Sequence, residues 1–363
     1  MYGMNRGIRT AALLLGILIF LSGCKAEKEQ VETLLTETAD SVETTQTQTL
    51  ETVEEDPDTE APFFLKTTPR VTLERGGVFD VHRYVSYIDD LDPHVDLMIN
   101  GEVETETPGE YPLELILEDD SGKTASFQMT VTVVEPEPSG PSGKPQTSTP
   151  AATQISFDEF AARYLTEETM VGIDVSKWQG DVDFEKAAAA GCQFVIIRLG
   201  GFSDGVFEDR YFADNIRNAK NAGLKVGVYW YSEEAGADMV RENAETLYTV
   251  LGGETLDFPI FFDWEDFDHF DNYEMSKRDL NEMFLAFREE ARARGYEAAL
   301  YGSKYYLNEV WSPRITSDGV WLAHYVDETN YEGEYFLWQQ GYGRIDGIAG
   351  DVDVDVFYPA KLF

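Results

Sequence analysis

From about residue 168 the chain alternates between short apolar runs rich in β-formers and longer stretches with helical spacing. GIDVSKW, FVIIRLGG, KVGVYWYS, FPIFFDWED and AALYGS are the first kind; FEKAAAAG, DRYFADNIRNAKNAG, ADMVRENAETLYTVLGG and KRDLNEMFLAFREEARARG are the second. Repeated strand–helix units imply a parallel sheet covered by helices. The last runs, VWLAHY, FLWQQ and VDVDVF, follow one another without full helices between them. An α/β barrel with an irregular final third accommodates both facts, and in such barrels chemistry collects at the C-terminal ends of the strands.

One of these strands carries an anomaly. In PIFFDWED, Ile260, Phe261 and Phe262 are strand formers, yet Asp263 and Glu265 follow, with Trp264 between them. Side chains alternate faces along a strand, so the two acids point the same way, with α-carbons roughly 6 to 7 Å apart at about 3.3 Å rise per residue. Two carboxylates sharing one cavity are costly to bury, so either something compensates them or the chemistry uses the strain. Asp174 in GIDVSKWQG and Asp353 in GIAGDVDVDVF stand on the first and last strands of the unit. If those strands close the barrel, both acids meet the pair at one mouth. Trp178, Tyr229, Tyr231, Trp264, Tyr301 and Trp338 lie in the same strand ends. Carboxylates mixed with aromatic faces suit a sugar, and a close carboxylate pair is the usual engine of glycoside hydrolysis.

Several motifs in order, GIDVSKWQGDVDF, FVIIRLG, GVYWYS, DWE, LYGS, LWQQ and GIAGDVDVDVF, make residues 170–360 resemble glycoside hydrolase family 25, the Chalaropsis-type muramidases. The resemblance implies a flattened α/β barrel, cleavage of the β-1,4 bond from N-acetylmuramic acid to N-acetylglucosamine in peptidoglycan, and no cofactor. Residue by residue, it implies Glu265 as general acid, Asp263 as the second carboxylate, and Asp174 and Asp353 as further acids of the pocket. It also implies net retention, with the substrate's own N-acetyl group as nucleophile. Trp178, Tyr229, Tyr231, Tyr301, Trp338 and Gln339 are the expected substrate contacts. This chain departs from the family pattern at Glu233-Glu234, where an aromatic is common, and at Asp351 or Asp355, where Asn is common.

Upstream, Arg6 and Arg9 precede an apolar run, Ala11 to Leu21, too short to span a bilayer and suited to a signal peptide. Leu21-Ser22-Gly23-Cys24 resembles a bacterial lipobox, so residues 1–23 are expected to be removed and Cys24 lipidated. That places the protein, exported, on the outer face of the cell membrane, facing the wall. Residues 24–61 are Thr- and Glu-rich and form an acidic tether. Residues 62–135 read as short alternating strands, with Asp119-Asp120-Ser121-Gly122 as a turn, and resemble a small all-β immunoglobulin-like sandwich. Residues 136–167 are a Pro/Ser/Gly linker and lead-in, and 168–363 the catalytic domain.

Other classes fit less well. With 68 Asp plus Glu against 28 Lys plus Arg, the formal charge of −40 argues against nucleic acid. No metal is expected: Asp351, Asp353 and Asp355 imitate a calcium loop, but Val356 stands where Gly is needed and Leu362 where Glu is needed. Too few His residues are placed to serve a metal-dependent deacetylase. GYGRIDG has the wrong spacing for a dinucleotide. Cys192, in apolar surroundings, reads as a core residue. Arg198 reads as an internal ion-pair partner for one of the acids, and His324 as hydrogen-bonded at the cleft rim or in the core. Taken singly, Asp174 could be a turn cap, Asp353 an exposed edge residue, and Trp338 and Tyr229 core aromatics. The partner expected is the peptidoglycan glycan strand, met by a monomer. The competing reading is a catalytically inert wall-binding lipoprotein on the same scaffold.

Overall fold

The computed structural model describes residues 58–136 and 155–362. The signal segment, Cys24, nearly all of the acidic tether and most of the linker lie outside the described residues. No helix among the described residues is long and apolar enough to cross a membrane.

The first described segment is all β. Strands β1 (Phe63–Thr67), β2 (Arg70–Glu74), β3 (Val85–Ile88), β4 (Asp96–Asn100), β5 (Gly109–Glu118) and β6 (Thr124–Val134) form a four-stranded sheet, β2-β6-β5-β4, and a two-stranded ribbon, β1-β3. Alternation drives it: Leu113, Leu115 and Leu117 on β5, with Met129, Val131 and Val133 on β6, face inward while their neighbours stay outside. The β5–β6 hairpin turns at the expected Asp119–Gly122, where Asp119 N–H donates to the Lys123 carbonyl and Gly122 has φ +82°.

The second segment opens with β7 (Ile155–Ser156) and helix α1 (Phe157–Tyr164), whose Ser156 and Glu159 form a capping box. The expected lead-in up to residue 167 is therefore not all linker, because Phe157 and Phe160 are buried in the core. Then follow β8 (Met170–Val175), α2 (Phe184–Ala189), β9 (Phe194–Phe202), β10 (Val206–Glu208), α3 (Phe212–Asn221), β11 (Lys225–Ser232), α4 (Ala237–Leu251) and β12 (Ile260–Trp264). Next come a 3-10 segment (Phe267–Asn272), α5 (Lys277–Ala293), β13 (Ala298–Ser303), α6 (Lys304–Glu309), α7 (Pro313–Thr316), β14 (Val320–Ala323), β15 (Tyr335–Arg344) and β16 (Val352–Phe357).

Eight of these strands close a ring in the order β8-β9-β11-β12-β13-β14-β15-β16 and back to β8. All neighbours run parallel except β16, which is antiparallel to both β15 and β8. The short connection from Arg344 to Val352 accounts for this, since it leaves no room for a parallel crossover. Closure is tight: a Cβ on Gly172 of β8 would sit 2.4 Å from the Phe194 carbonyl oxygen of β9.

Two apolar layers result. One fills the barrel with Phe194, Ile196, Phe261, Ala299, Tyr301, Trp321, Leu337 and Phe357; the other lies between barrel and helices and includes Val195, Ile197, Phe262, Trp264, Phe284 and Val354. The β1-β3 ribbon joins the second layer through Leu65 and Ile88. Lys66 of β1 and His82, just before β3, also grip the 3-10 segment, with Lys66 Nζ 2.6 Å from Asp268 and His82 Nδ1 2.8 Å from Asp271.

Candidate active site

The strand reversal sets the site. Asp174 lies near the C-terminal end of β8, and Asp353 near the N-terminal end of β16, directly opposite it in register. Because β16 runs backwards, its beginning reaches the mouth where the other strands end. Asp263 is the penultimate residue of β12, flanked in register by Tyr231 on β11 and Tyr301 on β13. Glu265 comes one residue after β12 ends, outside the regular strand in which the sequence pattern had placed it.

The acids differ in their surroundings. Asp263 is buried, and its Oδ1 meets no hydrogen-bond donor of the protein. Burial, then the Glu265 charge, raise its pKa well above the carboxylate range, with Arg198 pulling the other way. Glu265 reaches solvent through the cleft mouth although protein surrounds its carboxyl group; burial and then Asp353 push it up to about 7. Burial lifts Asp353 to about 6. Asp174 is also held up by burial, then by Asp353 and Asp355, while the Gln339 amide donates to its Oδ2 at 2.7 Å and lowers it. The four acids thus form one electrostatic group, whose protons belong to the set more than to any member.

Gln339 organises the floor: its Oε1 accepts from Tyr301 Oη at 2.9 Å and from Tyr325 Oη at 2.8 Å. Two phenols orient the amide, and the amide orients Asp174. Tyr229 is half-buried beside Trp321, and Tyr231 donates to Glu233 at 2.7 Å. Trp178, after β8, is 77 % exposed with Lys177 Nζ 4.8 Å from its ring centre. A cavity of about 620 Å³ opens beside Glu265, lined by Tyr301, Tyr305, Asn308, His324 and Tyr325 among others. That volume suits a sugar-sized ligand.

Trp338, expected among the substrate contacts, is placed elsewhere. It is buried in the outer layer, its ring edge against Tyr164 of α1 and its Nε1 donating to the His324 carbonyl. Neighbours on a strand face opposite ways, so Gln339 inside puts Trp338 outside. Trp264 likewise faces outward, donating to the Glu234 carbonyl. Arg198 does form a buried ion pair, 2.7 Å from Asp209, a partner outside the four-acid set. Asp209 also accepts from the Lys177 and Tyr211 amides, so it ties the loops of the mouth together. Glu234 is buried behind the cleft, accepting from Trp230, Ser232 and Asn243. His324 bonds Thr329 at the rim. Burial pushes the Cys192 thiol up to about 12, leaving it unreactive.

Sequence reasoning missed two participants. Asp355 is 0 % exposed, accepts from Trp321 Nε1 at 2.8 Å, and is raised by burial. The VDVDV alternation, which puts Asp353 and Asp355 on one face, is the signal that could have found it. Tyr325 follows the WLAH run and carried no pattern of its own.

Residues 173–347 match the family model described as Glycosyl hydrolases family 25. The chain is 27% identical over 191 residues to the Autolytic lysozyme of Clostridium acetobutylicum, an alignment covering 52% of this chain and 56% of that protein. It is 26% identical over 199 residues to Lysozyme M1 of Streptomyces globisporus, covering 51% and 67%. The chain thus spans little more than half the length of the first of these relatives. Among solved structures, the modular autolysin LytC of Streptococcus pneumoniae, in complex with a synthetic peptidoglycan ligand, aligns at 22% identity and TM-score 0.48, covering 68% of this chain and 56% of that one. A lysozyme from Streptomyces coelicolor aligns at 24% identity and TM-score 0.44, covering 54% and 96%.

Proposed function

We propose that the family 25 glycosyl hydrolase domain of this chain is an N-acetylmuramidase, cutting the β-1,4 bond from N-acetylmuramic acid to N-acetylglucosamine in peptidoglycan. The observation that carries the reading is the convergence of Asp174, Asp263, Glu265 and Asp353 on one barrel mouth, with Glu265 facing an open cavity at a pKa of about 7. A carboxyl group that keeps its proton near neutrality can give it to a leaving glycosidic oxygen.

In this mechanism Glu265 protonates the bridging oxygen as the C1–O bond breaks. The carbonyl oxygen of the substrate's own N-acetyl group closes onto C1, and Asp263 stabilises the positive ring that forms. Water then opens that ring at C1 and yields its proton to the Glu265 carboxylate, giving net retention. Asp174 and Asp353 share with Asp263 the negative charge that the set retains where positive charge develops. Tyr231, Tyr301 and Trp178 supply polar and aromatic faces for sugar rings.

The same reading makes the protein a monomeric lipoprotein, anchored at Cys24 on the outer face of the bacterial membrane, with the acidic tether and an immunoglobulin-like spacer presenting the barrel to the wall. Cys24→Ala should release it from the membrane fraction; undiminished membrane retention would contradict the anchor. Digestion of purified peptidoglycan with analysis of the new reducing ends tests the activity. Wall binding without any new reducing end would favour an inert binder instead.

A further inference from the structure

The second crowd of carboxylates lies in the all-β segment, far along the chain from the four acids of the cleft. Asp58, Asp89 and Asp90 each present a carboxylate oxygen within 4.8 Å of the other two, and Asp58, Asp92 and Asp119 form a second such trio. Lys123 is the one cation hydrogen-bonded to this group among the described residues: its ammonium contacts Asp58 Oδ2 and, at 3.2 Å, Asp119 Oδ2. Within the first trio, Lys123 therefore reaches Asp58 alone and leaves Asp89 and Asp90 without a cation hydrogen-bonded to them. Asp58 Oδ1, Asp89 Oδ2 and Asp90 Oδ1, one oxygen from each member, are all buried without a hydrogen-bond partner. Asp89 is 0 % exposed, and its other oxygen is already committed to the Leu91 and Asp92 amides at 2.8 Å each.

Buried polar atoms are rarely left unpaired, and three clustered carboxylates that each keep one orphaned oxygen are costlier still. Hard oxygen donors spaced no more than 4.8 Å apart are what a cation with oxygen contacts of about 2.4 Å would gather around itself. We propose that Asp58, Asp89 and Asp90 form a calcium site, with Asp119 held beside it by Lys123. Calcium fits better than magnesium because the donors come from two separate stretches of irregular chain, whereas magnesium demands near-ideal octahedral placement. The sequence pattern gave no warning, since no loop here has calcium-motif spacing.

The site has a structural consequence. The Asp89 and Asp90 carbonyls accept the Lys277 and Arg278 amides, at 2.8 and 3.1 Å, from the first turn of α5 in the barrel segment. A cation on Asp58, Asp89 and Asp90 would therefore pin the start of the β segment to the very loop that docks on the barrel. It would stiffen the junction without touching the cleft.

The inference is independent of the proposed activity and is tested without it. The mature chain, stripped with EGTA and dialysed, is titrated with calcium by isothermal calorimetry, with terbium luminescence as a second probe and magnesium as comparison. Expected are one calcium bound per chain, with a Kd in or below the 10⁻⁴ to 10⁻³ M range of extracellular modules, and a rise in Tm of about 5 °C at saturating calcium. Asp89→Asn and Asp90→Asn should each weaken binding at least tenfold; in Asp89→Asn the amide-accepting oxygen survives, so the loop keeps its turn. Absence of calcium binding at 5 mM with no change in Tm would overturn the site and leave Lys123 as the sole counter-charge. Binding unaltered in both variants would overturn the residue assignment.

Discussion

The two acidic clusters of this protein are made of the same groups and reach opposite solutions. In the cleft, Asp174, Asp263, Glu265 and Asp353 stand on or just beyond three separate strands, where register fixes them and aromatic walls desolvate them. Their compensation is shared protonation: burial raises every one of them, neighbouring acids add to it for Asp174, Asp263 and Glu265, and the charge that remains belongs to the set. In the β segment, Asp58, Asp89 and Asp90 come from irregular chain, their carboxylates lie within 4.8 Å of one another, and each keeps one oxygen without a protein partner. Strands hold acids apart at set spacings facing a ligand cavity, whereas loops let them fold around an ion. Crowded carboxylates therefore say little by themselves. The scaffold beneath them decides whether a proton or a metal answers the charge.

The comparison breaks most readily at Glu265. Replacing it with Gln should lower kcat on peptidoglycan by about 10² to 10⁴ with little change in Tm, because the fold does not use its proton. Asp263→Asn should cost about 10² to 10³ in kcat, as expected for removing a preorganised charge from beneath a developing cation. Gln339→Ala is expected to lose roughly ten- to a hundredfold, through misplacement of Asp174 and release of Tyr301 and Tyr325.

The pH profile sharpens the cleft side of the contrast. Activity should fall as pH rises through about 7, where Glu265 gives up its proton, and that alkaline limb should be absent from the residual activity of Glu265→Gln. The smallest expected effect concerns stability. Asp355 has a raised folded pKa, so the folded chain binds more protons than the unfolded one. Its stabilising share is full below the unfolded carboxylate pKa near 4 and is lost as pH climbs through the folded value. Asp355→Asn keeps an acceptor for Trp321 and removes that loss. It should raise stability at pH 8 by about 1 kcal/mol and leave it unchanged at pH 4. Thermal melts at the two pH values decide the matter; equal shifts at both would contradict it.

Much of the cleft was legible because its information is periodic. Strand–helix repetition announces the barrel, and the strand ends carrying Asp174, Asp263 and Asp353 lie where such barrels place chemistry. What stayed hidden depends on phase and closure. Trp338 and Gln339 are adjacent, and only the register of β15 decides which enters the barrel. The last strand's reversal, which brings Asp353 to the mouth, follows from the short connection before it, though no single residue records it. Asp209 finds Arg198 through a loop whose course no motif marks. The docking of the β1-β3 ribbon on the 3-10 segment just after Glu265 was likewise invisible, because Lys66, His82, Asp268 and Asp271 read as ordinary surface charges. Asp58 meets Asp89 across thirty-one positions, a closure only the folded chain specifies.

The most direct test of the central claim is digestion of purified peptidoglycan by the mature chain, with borohydride reduction and mass analysis of the fragments, and Glu265→Gln run in parallel. New reducing ends at N-acetylmuramic acid, absent from the variant's digest, are the expected result. Reducing ends at N-acetylglucosamine, or equal cleavage by the variant, would contradict the assignment of Glu265 as the acid of a muramidase.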